Sequence, residues 1–283
     1  MSFPDKDSMP FKYDIPLADR FGQLVNNEFA ADVFFEVGSS QRLMYGHRSI
    51  LSVGSPVFNA QLNGDFVEAR NNSRQHPIVV TDVEEDVFLQ ILRYIYSANA
   101  TVNHRNAVEL YYASQKYLLT DLRCICENFF NSSLCKENVV TVFNANRKHD
   151  SMAFQHDIPL AVRLGQLVNN EFTADVFFEV GSNHRPMYGH RNILSVGSPV
   201  FNAQLNGDFA DAKRNSLLNP IAETDVEEDV FLQILRFIYC ENAVVNQQNV
   251  VDLYYASQKY LLGNLSKIWR TFCTATDFAG ADR

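Results

Sequence analysis

What this chain lacks narrows it before any motif is read. No stretch of its 283 residues approaches the ~18 consecutive apolar residues of a membrane-crossing helix. The opening, 1–13, is polar, carries Pro4 and Pro10, and has no apolar core of a secretion signal; it reads as a disordered N-terminal segment. No run of lysine and arginine appears, and 24 basic against 33 acidic residues leave a formal charge of −9, which argues against contact with a nucleic-acid backbone. Cysteine is sparse. Cys124, Cys126, Cys135, Cys240 and Cys273 form no CxxC pair and no metal-ligand spacing, and they read as reduced thiols of an intracellular protein. The expectations are a cytoplasmic and/or nuclear protein with no membrane, nucleic-acid, metal or cofactor partner.

Catalytic constellations are missing as well. His47 and His190 occupy tempting positions, but no second His, Cys or carboxylate accompanies them at ligand spacing. A structural place between a strand and a helix is expected for both. Ser55 lacks the GxSxG surround of a nucleophile elbow. No catalytic residue is assigned, and an enzyme is not expected. With 46% hydrophobic residues and 22 Phe, the chain can nevertheless bury a real core.

What the chain does contain is one domain written twice. Asp14-Ile15-Pro16-Leu17-Ala18 returns as Asp157-Ile158-Pro159-Leu160-Ala161, an offset of 157 − 14 = 143 that never slips. Over 14–120 the copies differ at 25 of 107 aligned positions. A period of this length is a whole domain and too long for a solenoid unit. The expected organisation is a first domain at 14–131, a linker at 132–156, a second domain at 157–274 and a frayed C-terminus at 275–283.

Within a copy, Asp14 and Pro16 suggest a helix start, after which Leu17, Phe21, Leu24 and Val25 fall on one face, as do Leu160, Leu164, Leu167 and Val168. Asp32 to Val37 is rich in β-branched and aromatic residues and reads as a strand that turns at Gly38 into a second one through Tyr45. His47 to Val53 reads as a short helix, and Gly54-Ser55-Pro56 ends it and starts another. A third strand follows at Pro77–Thr81. Asp82-Val83-Glu84-Glu85 then matches a capping box for a helix whose stripe is Phe88, Ile91, Leu92 and Ile95. Ala107, Leu110, Tyr111, Ser114 and Leu118 mark a further helix. Asp121 caps a last one with Leu122, Ile125, Cys126, Phe129 and Phe130. In the second copy, Leu265, Ile268, Trp269, Phe272 and Cys273 keep that spacing. The largest local divergence is 67–80 against 210–223, where Ile78-Val79-Val80 becomes Ile221-Ala222-Glu223, with weaker β preference.

The order of elements, with Asp32-Val33-Phe34-Phe35, Gly46-His47-Arg48, Leu51-Ser52-Val53-Gly54-Ser55-Pro56-Val57-Phe58, Gly64-Asp65-Phe66, Asp82-Val83 and Leu92-Arg93-Tyr94-Ile95-Tyr96, resembles the BTB (POZ) domain. These motifs recur in the second copy, as Asp175-Val176, His190-Arg191, Ser198-Pro199-Val200-Phe201, Gly207-Asp208-Phe209, Asp225-Val226 and Arg236-Phe237-Ile238-Tyr239. Together with Tyr111-Tyr112-Ala113-Ser114-Gln115-Lys116-Tyr117 they look most like the BTB–BACK–PHR branch. No complete BACK or PHR domain is visible, and 131–148 resembles only the opening of a BACK segment. The resemblance implies an α+β fold: two BTB domains in tandem, each a small mixed sheet flanked by a cluster of short helices.

It also implies partners. BTB domains pair through the first helix, which makes Leu17, Phe21, Leu24, Val25, Leu160, Leu164, Leu167 and Val168 candidate dimer-interface residues. The partner would be another BTB domain, in the same chain or a second one. Many BTB domains also bind cullin-3, through a hydrophobic-X-Glu motif that here reads Phe66-Val67-Glu68, with Phe209-Ala210-Asp211 as the weaker counterpart. Asp32 with Arg48, and Asp175 with Arg191, are candidates for a charged pocket, weighed against a buried structural ion pair. The function so implied is a dimerising adaptor or scaffold for a cullin-3 ubiquitin ligase. The alternative is an assembly module outside the ligases, either a corepressor-type platform or a decoy without a substrate domain.

Overall fold

Alternating burial along Val33–Val37 sets up the sheet. Val33, Phe35 and Val37 are buried on one face of β1 (Val33–Val37), while Phe34 and Glu36 lie on the other. The computed structural model describes residues 10–64, 70–132, 158–207 and 215–267. In it β1 pairs antiparallel with β2 (Arg42–Gly46) and parallel with β3 (Ile78–Val80), giving the order β2-β1-β3. The second copy repeats this with β4 (Val176–Val180), β5 (Arg185–Gly189) and β6 (Ile221–Glu223). The weaker β preference of Ile221-Ala222-Glu223 does not undo the strand: Phe178 still faces Ile221 and Val180 still faces Glu223.

The helices of the first copy are α1 (Leu17–Gly22), α2 (Arg48–Gly54), α3 (Pro56–Asn63), α4 (Glu85–Ser97), α5 (Ala107–Lys116) and α6 (Thr120–Ser132). Those of the second are α7 (Leu160–Gly165), α8 (Arg191–Gly197), α9 (Pro199–Asn206), α10 (Glu228–Cys240) and α11 (Val250–Lys259). Residues 263–267 are helical too. Ser55 joins α2 to α3: its hydroxyl accepts from the Phe58 amide at 3.3 Å and donates to the Tyr117 carbonyl at 2.7 Å, with Pro56 supplying the preset first turn. Phe58 then stacks on Tyr117 at 4.5 Å, and Phe35 and Phe88 meet it edge to face. The second copy builds the same aromatic core from Phe178, Phe201, Phe231 and Tyr260, stacked at 4.6 Å.

The chain forms two compact units. One contains 24–132 with 158–163; the other contains 10–23 with 164–267. Each thus holds the body of one copy together with first-helix residues of the other. In the second of these units, α1 lies against α8.

Several local expectations need correction. The 82–85 segment does not form a capping box: α4 begins at Glu85 without a side-chain cap. Asp82 instead pairs with Lys116 at 2.6 Å, Glu85 with Arg42 at 2.6 Å, and the Glu84 carboxylate accepts from the Ser39 amide at 3.2 Å. The cause is Gly38, whose φ of +72° folds the strand turn onto the start of α4; a β-carbon there would meet the Glu84 carboxylate at 2.7 Å. α1 starts at Leu17, has only six residues, and ends before Leu24 and Val25. Leu118 leaves its stripe because α5 stops at Lys116 and Leu118 takes φ +53°, which turns it outward while Leu119 is buried. Ile125 is 40% exposed, whereas Leu122, Cys126 and Phe130 are buried. α6 begins at Thr120, so Asp121 sits inside its first turn. The BACK-like helix start beyond Ser132, Ile268, Trp269, Phe272, Cys135, Cys273 and the 275–283 tail lie outside the described residues.

His47 is buried at the junction of β2 and α2, as His190 is between β5 and α8. The Tyr96 hydroxyl accepts from the His47 amide at 2.8 Å and lies 2.9 Å from Nδ1, while Nε2 lies 2.8 Å from the Phe29 carbonyl. A carbonyl only accepts, so Nε2 carries the proton and Nδ1 accepts from Tyr96. His190 repeats the tyrosine pair with Tyr239, but its Nε2 meets the Thr173 hydroxyl at 2.8 Å. Burial pushes both imidazoles down from 6.5 to about 4. In the unfolded chain both histidines take up protons near the ordinary pKa, and in the folded chain they do not until about pH 4. Stability is therefore lost as pH falls from about 6.5 toward 4 and levels below that. Between pH 6.5 and 5 the unfolding free energy from denaturant titrations should fall with a slope approaching about two protons. A His47→Gln/His190→Gln chain should be nearly flat over the same range.

Candidate interaction site

The first-helix stripe is placed as follows. Leu17, Phe21 and Leu24 are buried and Val25 is half-buried; Leu164 and Leu167 are buried, with Leu160 and Val168 half-buried. The segment ahead of α1 is fixed in the same unit as the second copy. Phe11 is buried; Tyr13 is half-buried with its hydroxyl shielded from solvent beside the Asn202 side chain, and burial pushes the phenol up to about 12. Lys12 and Gln23 exchange backbone and side-chain hydrogen bonds at 2.7 and 2.9 Å, closing the arm on itself.

One charged contact stands out in that unit and was not read from the sequence. Arg20 donates from Nη2 to the Glu241 carboxylate at 3.0 Å, with the arginine side chain 3% and the glutamate 39% exposed. Burial lowers the Arg20 pKa, and Glu241 and then Asp14 oppose that by favouring the charged form. Glu241 is the left-handed C-cap of α10 at φ +54°. In the other unit Arg163, the repeat equivalent of Arg20, donates to the Ile95 carbonyl at 3.3 Å.

The charged-pocket candidates sit at the surface. The Asp32 carboxylate accepts from the Arg48 amide at 2.7 Å, and Asp175 from the Arg191 amide at 2.7 Å. Each aspartate thereby satisfies an amide at the open start of α2 or α8. The guanidinium groups reach the carbonyls of Leu62 and Leu205 at the ends of α3 and α9. By exposed area both aspartates are exposed and both arginines half-buried, while burial raises the Asp32 pKa and the Arg48 amide and charge oppose that. The cullin candidates Phe66, Glu68, Phe209 and Asp211 lie outside the described residues. Among the described residues no group of three or more His, Cys, Asp or Glu could hold a metal, and no helix is long and apolar enough to cross a membrane.

The copies differ most plainly around β3 and β6. In the first copy Arg74 binds Glu28 and the Tyr45 hydroxyl; in the second this position is Leu217, and Leu218 beside it is 92% exposed. Phe172 is 99% exposed in a short 3-10 turn. Val80 becomes Glu223, a buried carboxylate held by Lys259 at 2.5 Å, the Tyr260 hydroxyl at 3.0 Å and Gln204 at 3.1 Å. Lys259 also binds Asp225 at 2.7 Å. Burial lowers the Lys259 pKa, but its bonds to Asp225 and Glu223 outweigh that and raise it overall. A groove of about 350 Å³ opens beside Lys259, with Asp225, Glu227, Asp252 and Tyr255 on its wall. The signal for Glu223 and Glu241 was present in the sequence as two of the positions where the copies disagree.

This pair of bodies, each a mixed three-stranded sheet under short helices, carries the family pattern twice: the BTB/POZ domain profile matches 21–134 and again 164–277, and the chain belongs to that family. Its BTB domains are protein-interaction and dimerisation modules. Among similar proteins, BTB/POZ domain-containing protein 6 of Xenopus laevis is 28% identical over 218 residues, covering 74% of this chain and 39% of that protein. BTB/POZ domain-containing protein 3 of Homo sapiens is 34% identical over 131 residues, covering 45% and 24%. This chain therefore spans well under half the length of these relatives. The BTB (Tramtrack and Bric a brac) domain of human gigaxonin is similar at 20% identity and a TM-score of 0.31, covering 42% of this chain and 97% of that one.

The Glu223 cluster makes a stability prediction, because the first copy supplies its own control. Replacing a buried, hydrogen-bonded ion pair by apolar groups is often neutral or stabilising by ~1–4 kcal/mol, while deleting one partner costs ~3–5 kcal/mol. Glu223→Val, which installs the first copy's residue, should leave the urea midpoint unchanged or raise it. Lys259→Met, which leaves Glu223 buried, should lower it clearly.

Proposed function

We propose that this chain is a tandem BTB scaffold whose two copies pair within one polypeptide by exchanging their first helices, and that the pair serves as a cullin-3 adaptor in the cytoplasm or nucleus. The observation that carries the pairing is the composition of the compact units, in which 10–23 belongs with the second copy. A segment held there by Phe11, Tyr13, α1 and the Arg20–Glu241 pair is the same polypeptide's own substitute for a partner's first helix. The length of 132–156 allows it: any random coil of about 25 residues spans roughly 25–30 Å and would hold its ends at an effective concentration near millimolar. On this reading the purified chain sediments as a single-chain species at micromolar concentration, and a two-chain dimer at that concentration contradicts it.

The adaptor half of the proposal rests on Phe66 and Glu68 in the first copy, with Phe66 packing against the cullin and Glu68 fixing register. Asp211 is one methylene shorter than Glu68, so the second copy is the weaker binder. Phe66→Ala/Glu68→Ala should abolish capture of cullin-3 by the full chain, and Phe209→Ala/Asp211→Ala should reduce it little. Undiminished capture by the first variant removes the assigned site. A wild-type chain that captures no cullin-3 leaves the assembly module outside the ligases.

A further inference from the structure

Two of the 25 differences between the copies face the arm 11–23, which comprises α1 and the residues ahead of it. Ala98 becomes Glu241, and Thr120 becomes Gly263. Glu241 supplies the carboxylate for the buried Arg20 guanidinium at 3.0 Å. Gly263 supplies clearance. A β-carbon at that position would stand 2.8 and 3.0 Å from the two carboxylate oxygens of Asp14, closer than a side-chain carbon can approach without displacing them. Asp14 is not a bystander, because its charge also favours the ionised form of Arg20. The two changes therefore act on one target: a buried arginine flanked by two carboxylates, one from the acceptor body and one from the arm itself.

We propose that Glu241 and Gly263 are the specificity-determining residues that make the second copy the acceptor for the first copy's arm, through Arg20 and Asp14. The proposal rests on the paired reading above. The segment the groove fits has an aspartate six residues ahead of an arginine, with a tyrosine immediately before the aspartate, as in Tyr13-Asp14 and Arg20. Tyr13, Arg20, Glu241 and Gly263 lie around one small recess with Phe237 and Leu262. The first copy, with Ala98 and Thr120, offers neither the carboxylate nor the clearance at the matching positions. Of the other residues near the arm, Asn202 recurs as Asn59, while Phe237 of the recess is Tyr94 and Asn192 of α8 is Ser49 in the first copy. The carboxylate and the clearance that set the second body apart as an acceptor fall on these two positions; on the arm, Asp14 and Arg20 recur as Asp157 and Arg163, and Tyr13 is His156 in the second copy.

Hydrogen–deuterium exchange on the full chain tests this, reading the arm peptide 11–23 against the sheet peptide 176–189 as a folding control. Glu241→Ala should speed exchange of the arm about tenfold or more, and Gly263→Thr, which has only to displace the exposed Asp14 carboxylate, by a smaller factor, while the sheet peptide is unchanged in both; each installs the first copy's residue. Adding Asp14→Ala to Gly263→Thr should recover part of the protection, since it removes the group the new side chain meets. If Glu241→Ala disturbs the sheet peptide, Glu241→Gln, which keeps the shape and removes the charge, decides in its place. An arm protected in the wild type and equally protected in both variants overturns this inference alone. A wild-type arm that exchanges as fast as a free 11–23 peptide overturns the pairing itself.

Discussion

A six-residue helix cannot hold itself in water. α1 has no side-chain cap at its start and makes fewer than two full turns, so its order must come from what it packs against. That constraint organises the chain. Leu17, Phe21 and the Arg20 stem need a surface to cover them, and α8 with the end of α10 supplies it. Burying Arg20 then demands a counter-charge, because an isolated guanidinium removed from water is far more costly than the packing it accompanies. Glu241 meets that demand from a position whose left-handed backbone ordinarily favours glycine or asparagine. Holding a glutamate at φ +54° costs something, and the ion pair offsets it.

The bodies that accept these helices are built from a different principle. Each sheet is only three strands wide and buries one face, so its stability depends on aromatic volume. Phe35, Phe58, Phe88 and Tyr117 interlock over that face, and the buried histidine ties the β2–α2 junction to the long helix through Tyr96. None of these residues changes between the copies. Their equivalents keep the same edge-to-face and stacked geometry within a few tenths of an ångström. The duplication has varied around these rings, as at Val80 and Glu223, and not in the rings themselves.

Periodicity made most of the fold legible. The stripe of α4, the β1–β2 hairpin and the Ser55-Pro56 junction follow from hydrophobic spacing and turn chemistry, because those features are local. What failed was also local in form but decided at a distance. Asp82 to Glu85 spells a capping box, yet the β1–β2 turn and α5 compete for the same carboxylates, and Ser39, Arg42 and Lys116 win them. Leu118 fits a helical stripe, yet the chain has already turned left-handed to enter α6. Arg20 gave no sign of its partner, since a contact across 221 positions has no signature in spacing.

The differences between copies carried more functional information than their agreement. Identical residues describe what any two bodies of this fold require. Val80 to Glu223, Ala98 to Glu241 and Thr120 to Gly263 describe what one body does that the other does not. Glu223 adds a buried polar network whose geometry is satisfied by Lys259, Tyr260 and Gln204, all of which the first copy also has as Lys116, Tyr117 and Gln61. One substitution was therefore enough to build it on donors already in place. Glu241 arose the same way, opposite an arginine that both first helices carry. In a duplicated domain a new specificity needs only the second half of an interaction, because the repeat has already provided the first.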